Sequence, residues 1–429
     1  MYALAKELFP ICRSITGEGV RATLKILARD LPGLEIHEVP SGTKCFDWTV
    51  PQEWNIRGAH IVDPDGKKIV DFADNNLHVV GYSEPIDREM SRDELGEHLH
   101  SRPDMPFHIP YVTSYYTRNW GFCVTHEQRS RMGPGIYKVK IDSTLAPGRL
   151  TYAELRLPGR VKDEVLLSTY ICHPSMANNE VSGPVVAAAL GRWLSSLPGR
   201  RLSYRILFVP ETIGSIVYLS RHLPELRERV IAGYMVTCVG DDRGYSFLPT
   251  RKGNTLADHT AQHILKHVDP DFRTYSFAYD RGSDERQYCA PGVDLPVATV
   301  CRSLYAQYPE YHTSADNLQV ISASGLSGGF TALQRCIAAL EAHGYPRTTV
   351  LCEPHLGPRG LYPATSGVGA HDVNHWDIQN LFAYADGTRS LLEIADLLNR
   401  PVWFLQDALK RLVSAGVMTV EPQRAGEGR

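Results

Sequence analysis

The apolar run Val165–Ile171 passes directly into Cys172-His173-Pro174-Ser175-Met176-Ala177-Asn178-Asn179-Glu180-Val181-Ser182-Gly183, and then into a helix of small residues that ends at Leu194. A strand apolar on both faces has to be covered on both sides, which points to a parallel sheet between helices. Ligands of such sheets sit beyond the carboxyl ends of the strands. His173 and the Asn-rich turn therefore stand where a ligand or a metal would be mounted.

The rest of the chain fits that frame. Arg205–Val209, Gly233–Val239 and Val297–Cys301 read as further apolar strands, and helical patterns cover Val185–Leu194, Ser215–His222, Leu256–His267 and Ser322–His343. The alternation predicts an α/β fold with a mostly parallel sheet and helices on both faces. Glu211, Asp241 and Asp242 follow strand ends, so one crevice could gather them with His173. Residues 1–40, read as two helices and the strand Leu34–Val39, join this core with residues 149–348. Residues 41–148 differ in texture: short alternating runs flank the turn Pro64-Asp65-Gly66, a hairpin signal, and the stretch reads as a β-rich insertion domain. Residues 349–429 open with a Pro/Gly-rich linker, Pro354–Gly369. Helical patterns over Ser390–Leu398 and Pro401–Ala415 and the strand Val417–Val420 then form a winged-helix pattern.

With 429 residues, 43% of them hydrophobic, the chain can bury a full core, and a net charge of only −3 removes any global basic field for nucleic acid. No polybasic cluster marks a membrane surface, and no apolar run has membrane-spanning length. The nine cysteines are odd in number and contain no Cys-x-x-Cys pair, which suits a reducing interior, so a cytoplasmic location is expected.

His173 has two open roles, a structural histidine after a strand or a metal ligand, since neutral imidazole binds zinc well. Glu211 ends an apolar strand, where partial desolvation suits a general base; a helix cap is the plainer role. His312 lies in Tyr308-Pro309-Glu310-Tyr311-His312-Thr313-Ser314-Ala315-Asp316-Asn317, with Asp316 placed to orient its imidazole. Asp284, Glu285 and Arg286 form an ionisable loop, either a solvated turn or a substrate-binding loop, with Arg286 as the ligand contact. Arg13 and Arg21 are assigned structural pairing with neighbouring acids. The aromatic residues Tyr115, Tyr116 and Trp120 either fill the insertion's own core or roof the crevice. In the C-terminal module Arg389, Arg400, Lys410 and Arg411 are interspersed with Asp386, Glu393, Asp396 and Asp407. Its presumed recognition helix begins with Trp403, Phe404 and Leu405, which favours a protein or dimer contact over DNA.

The order of His, Asn-x-x-Ser-Gly opening a helix, strand-Glu, Gly-Ser-Asp and Tyr-His-Thr-x-x-Asp resembles the M28 zinc aminopeptidases, whose sites carry two co-catalytic zinc ions. Arg13-Ser14-Ile15-Thr16-Gly17, Pro110-Tyr111-Val112-Thr113-Ser114-Tyr115-Tyr116, Ile171-Cys172-His173-Pro174-Ser175 and Tyr311–Asn317 are more similar still to a bacterial branch. Its members are aminopeptidase-like proteins of domain-of-unknown-function 4910 type, with a 2172-type insertion and a C-terminal winged helix. The resemblance implies that Asn179 replaces the Asp bridging the two metals and that Glu211-Thr212 replaces a Glu-Glu pair. Thr237 stands for another ligand Asp, with Asp241 and Asp242 its nearest acidic substitutes. Neutral side chains in those places leave too little negative charge for two cations. The expected centre is one zinc ion with His173, His312, a weak oxygen from Asn179, and a carboxylate from Glu211, Asp284 or Glu285. The implied activity is hydrolysis of a small peptide or aminoacyl amide in a biosynthetic pathway, with Glu211 as the base. Two alternatives stand beside it: a non-catalytic relative binding a peptide, sugar or carrier protein, and a ligand-sensing regulator that uses the winged helix.

Overall fold

Seven consecutive buried residues, Glu164–Tyr170, form the strand that organises the molecule. In the computed structural model, which describes residues 1–361 and 373–422, it pairs in parallel with Ser203–Val209 on one side and Val230–Met235 on the other. Val297–Cys301 adds a fourth parallel strand. Further strands extend the sheet to eight: Arg149–Leu157 and Glu35–Pro40 on one edge and Ser246–Leu248 on the other join by antiparallel pairing, and Arg273–Thr274 pairs in parallel with Ser246–Leu248. The α/β architecture and the parallel centre match the expectation. The antiparallel edges, and the strand Arg149–Leu157 in particular, were not foreseen.

The helix Ser182–Ser196 is buried along most of its length, and its composition follows from that. A Cβ on Gly183 would collide with the Val236 carbonyl oxygen, so only glycine lets the helix start this close to the sheet. The insertion has its own four-stranded antiparallel sheet, built on Glu53–Val62 and Ile136–Ala146. The foreseen hairpin closes there as Glu53–Val62 against Lys68–Asp71, with Gly66 at positive φ in the turn.

The chain divides into two compact units, Met1–Ala257 with Arg273–Phe330, and Asp258–Phe272 with Thr331–Arg429. The second contains the helices Val373–Tyr384, Leu391–Leu397 and Val402–Ser414. Its two-stranded wing pairs Met418–Glu421 with Tyr345–Thr348, a segment that the sequence alone assigns to the α/β core. Residues 362–369 of the expected linker Pro354–Gly369 lie outside the described residues. Leu405 is fully buried, Trp403 is half-buried with Arg335 over its ring at 4.1 Å, and Phe404 is 39% exposed. No helix among the described residues is long and apolar enough to cross a membrane.

Candidate active site

Beyond the carboxyl end of Glu164–Tyr170, the chain turns through His173 into one π-helical turn, Ala177–Val181, before the helix at Ser182. The π turn carries Glu180 back beneath His173, where its Oε2 lies 3.0 Å from the imidazole Nδ1. The other Glu180 oxygen is 2.9 Å from Arg13 Nε, which also donates to the His173 carbonyl. Burial disfavours the charged ring of His173, but the Glu180 bond and the Glu211 and Glu180 charges outweigh it, and its pKa is raised. Sequence reasoning missed Glu180. The acidic residue three positions before Gly183 was the available signal, and only the π turn gives it meaning.

The other ring nitrogen of His173, Nε2, faces Glu211 Oε2 at 3.6 Å. Glu211 is fixed from two sides: Ser283 Oγ donates to its Oε1 at 2.8 Å, and its own N–H donates to Cys172 Sγ at 3.2 Å. His312 completes the group, with its ring centroid 5.6 Å from that of His173. Tyr111 lies edge-on to both imidazoles, 5.4 Å from His173 and 5.0 Å from His312, while Tyr311 stacks on His312 at 3.8 Å. Burial, then the neighbouring His173, pushes the His312 pKa down to about 3, which keeps this ring neutral.

The structure therefore brings His173, Glu211 and His312 together. Asn179 is buried nearby; its Nδ2 donates to Tyr170 OH at 2.7 Å, and the Tyr170 ring is 5.1 Å from that of His173. Tyr170 OH also meets Thr237 Oγ1 at 2.5 Å, so Asn179 and Thr237, two of the positions where the family resemblance implies ligand carboxylates, belong to a neutral hydrogen-bonded triad.

Three expectations are corrected. Asp316 does not orient His312; its carboxylate accepts from the Asn178 and Asn179 N–H groups and from Tyr308 OH, and so fixes the Asn turn. Burial pushes its pKa up to about 6. Asp241 and Asp242 do not substitute for Thr237: Asp241 binds Asn178 and Ser303, and Asp242 binds Ser322. Asp284 and Glu285, expected on a substrate-binding loop, are fully buried. Asp284 accepts from Thr212 N–H and Ser215 Oγ, and Glu285 from Gly282 N–H, Ser283 N–H and Tyr305 OH. Burial, and for Asp284 the Glu211 charge as well, raises both pKa values, Asp284 to about 7. Arg286 stays exposed and donates to Thr212 Oγ1, which ties the loop to the turn after Glu211.

The insertion contributes directly. Pro110 bridges to Thr313, and Tyr111 N–H donates to the His312 carbonyl at 2.8 Å. Tyr115 packs on the core cluster that contains Cys172 and Ile213, with its hydroxyl on Tyr111, whereas Trp120 belongs to the insertion's own core and Tyr116 is 54% exposed. The aromatic residues thus divide between the two roles left open for them.

The donor types are those a single cation takes, although the ligand atoms that lie within 4.8 Å of one another around His173 are those of Cys172, His173 and Glu180. His312 Nε2 and Asn179 Oδ1 are buried and have no hydrogen-bond partner among the described residues. A buried orphan acceptor is costly unless something binds it. His173 Nε2 and Glu211 Oε2 add a second imidazole and one carboxylate, a nitrogen and oxygen set of the kind zinc takes. Glu180 supplies the carboxylate behind the histidine that fixes its tautomer.

An α/β sheet with this crevice at its strand ends defines an aminopeptidase-like protein. Residues 2–343 match the family described as domain of unknown function DUF4910, and residues 343–420 match a winged helix-turn-helix family; the chain belongs to the DUF4910 family. A Clostridium acetobutylicum protein, provisionally named a polysaccharide biosynthesis protein with aminopeptidase-like domain, is 42% identical over 96% of this chain and 95% of its own. The crystal structure of a provisionally named peptidase from the same organism superposes with a TM-score of 0.90 at 40% identity, covering 98% of this chain and 95% of the other. A zinc aminopeptidase from Bacillus subtilis shares the fold, with a TM-score of 0.57 at 12% identity over 79% of this chain and 93% of its own.

Proposed function

We propose that the protein is a metal-dependent amide hydrolase that holds one zinc ion and releases an amine from a small peptide or aminoacyl amide. The observation that carries this reading is the meeting of His173, Glu211 and His312, whose buried Nε2 has no hydrogen-bond partner among the described residues. His173, His312 and Asn179 would hold the ion, which supplies Lewis acidity toward water and the amide carbonyl. Glu211, aimed by Ser283, takes the proton of the attacking water and returns it to the leaving amine. Glu180 and Arg13 keep the His173 ring in one orientation, and Tyr111 and Tyr311 exclude bulk solvent from the imidazoles. The name of the Clostridium relative supports a place in the biosynthesis of a polysaccharide. Nine free cysteines support the cytoplasm as its location. The exposed Phe404 on its recognition helix supports a protein contact by the winged helix.

A second reading, a relative that binds its ligand without cleaving it, is favoured by the neutral Tyr170, Thr237 and Asn179 triad. Elemental analysis of protein purified without chelator, paired with amine release from aminoacyl amides, separates the two. Hydrolysis predicts near-stoichiometric zinc and release abolished by Glu211→Gln. Release that survives this substitution would remove Glu211 from the mechanism, and metal-free protein without release would leave the binding reading.

A further inference from the structure

Thr212 follows Glu211 and stands at the N-cap of the helix Ile213–Arg229, but its side chain makes no capping bond. Its backbone lies at φ 65° and ψ −74°, and Ile213 N–H donates to the Glu211 carbonyl at 2.8 Å. That is a γ-turn of the positive-φ kind, which is rare and strained, and threonine is β-branched, the side-chain type least tolerant of it. Such a conformation persists only where the surroundings over-determine it. Here they do: Asp284 Oδ1 accepts from Thr212 N–H at 2.7 Å and from Ser215 Oγ at 2.8 Å, and Arg286 holds Thr212 Oγ1 at 2.7 Å. The neighbouring Ser283 holds the Glu211 carboxylate itself. A single short loop thus grips both ends of the Glu211-Thr212 dipeptide.

We infer that Asp284 is a positioning residue, which locks Thr212 in the γ-turn and so fixes where the Glu211 carboxylate is presented. The inference rests on Glu211 acting as the base. It gives the Asp284 Oδ1 bonds a purpose that substrate contact does not supply, since its side chain is wholly buried. It also accounts for a threonine at a position that geometry would leave to glycine, because Thr212 Oγ1 is the acceptor for the Arg286 tether.

The test compares Asp284→Ala with Asp284→Asn in the full-length, zinc-loaded protein, using aminoacyl 4-nitroanilides for kinetics and amide hydrogen exchange at Ile213. Asparagine keeps an oxygen acceptor for Thr212 N–H and Ser215 Oγ, and alanine keeps none. Asp284→Ala is expected to lower kcat about 100-fold, the usual cost of a 1 Å misplacement, with KM and zinc content unchanged and faster Ile213 exchange. Asp284→Asn is expected to restore most of kcat and the Ile213 protection. Equal losses in the two variants, or a raised KM with unchanged kcat, would overturn the positioning role. Hydrogen exchange reports independently of activity: Ile213 protection unaltered in Asp284→Ala overturns the inference even if no variant hydrolyses an amide. A wild-type protein with no release, but with faster exchange in Asp284→Ala, would refute the hydrolase reading while upholding the tether.

Discussion

Arg13 and Glu180 lie 2.9 Å apart with each side chain only 1% exposed, and the same Glu180 carboxylate reaches His173 Nδ1 at 3.0 Å. A charge pair this deep is kept in spite of its desolvation cost. Its product is a histidine with a fixed tautomer whose free nitrogen is directed at Glu211.

Glu180→Gln is therefore expected to act on two observables at once. It leaves Arg13 buried without its counter-charge, a loss of about 3–5 kcal/mol in denaturant unfolding. It also weakens the orientation of His173, and zinc affinity measured by titration should fall about 10- to 100-fold. Unchanged zinc affinity in a folded variant would show that His173 is not a ligand.

Asn179→Asp places a charged oxygen beside the two imidazoles. Zinc content after dialysis should rise relative to the parent, because an anionic donor replaces a neutral carbonyl. Equal content would mean that the Asn turn stands outside the coordination sphere.

Glu53 couples the insertion to the first helices. Burial pushes its pKa up, but bonds from Arg21, Asn55 and the Arg149 N–H pull it down further, to about 2 against 4.5 for a free glutamate. The folded value lies below the unfolded one, so its stabilisation is complete above pH 4.5 and disappears as pH falls through about 2. Glu53→Gln should be less stable than the parent at pH 7 by about 1 kcal/mol, with the gap closing across that window. A gap that stays constant down to pH 2 would rule out the coupling.

For the winged helix, Trp403→Ala should cost about 1–2 kcal/mol in thermal unfolding, since it removes the ring under Arg335. A duplex DNA probe should show no salt-sensitive mobility shift with the parent protein. A shift that weakens steeply with salt would favour the regulator reading.

Much of this was legible in the residues themselves. Val297–Cys301 was readable to the residue, because a short apolar run between turns has few other uses; His173 and Glu211 stood out as polar groups at the ends of such runs, and His312 within the motif Tyr308–Asn317. Arg149–Leu157 was not, because its antiparallel pairing places Glu154 and Arg156 inside a charge network that depends on Arg205 and Tyr218. The helix Val373–Tyr384 was missed because its apolar residues do not gather on one face. Glu180 itself and the role of Asp284 escaped for a shared reason. Each works through a backbone distortion, a π turn in one case and a γ-turn in the other, that local sequence preferences disfavour and only tertiary contacts sustain.

The stitch between Pro110 and Thr313, together with the Tyr111 bond to the His312 carbonyl, joins the insertion's arm to a backbone already at φ 55°. Such an arm cannot swing aside like a hinged flap, because raising it would drag one imidazole out of place. Admission of a substrate and dismantling of the centre would be the same movement, so entry has to follow a route that leaves this seam closed.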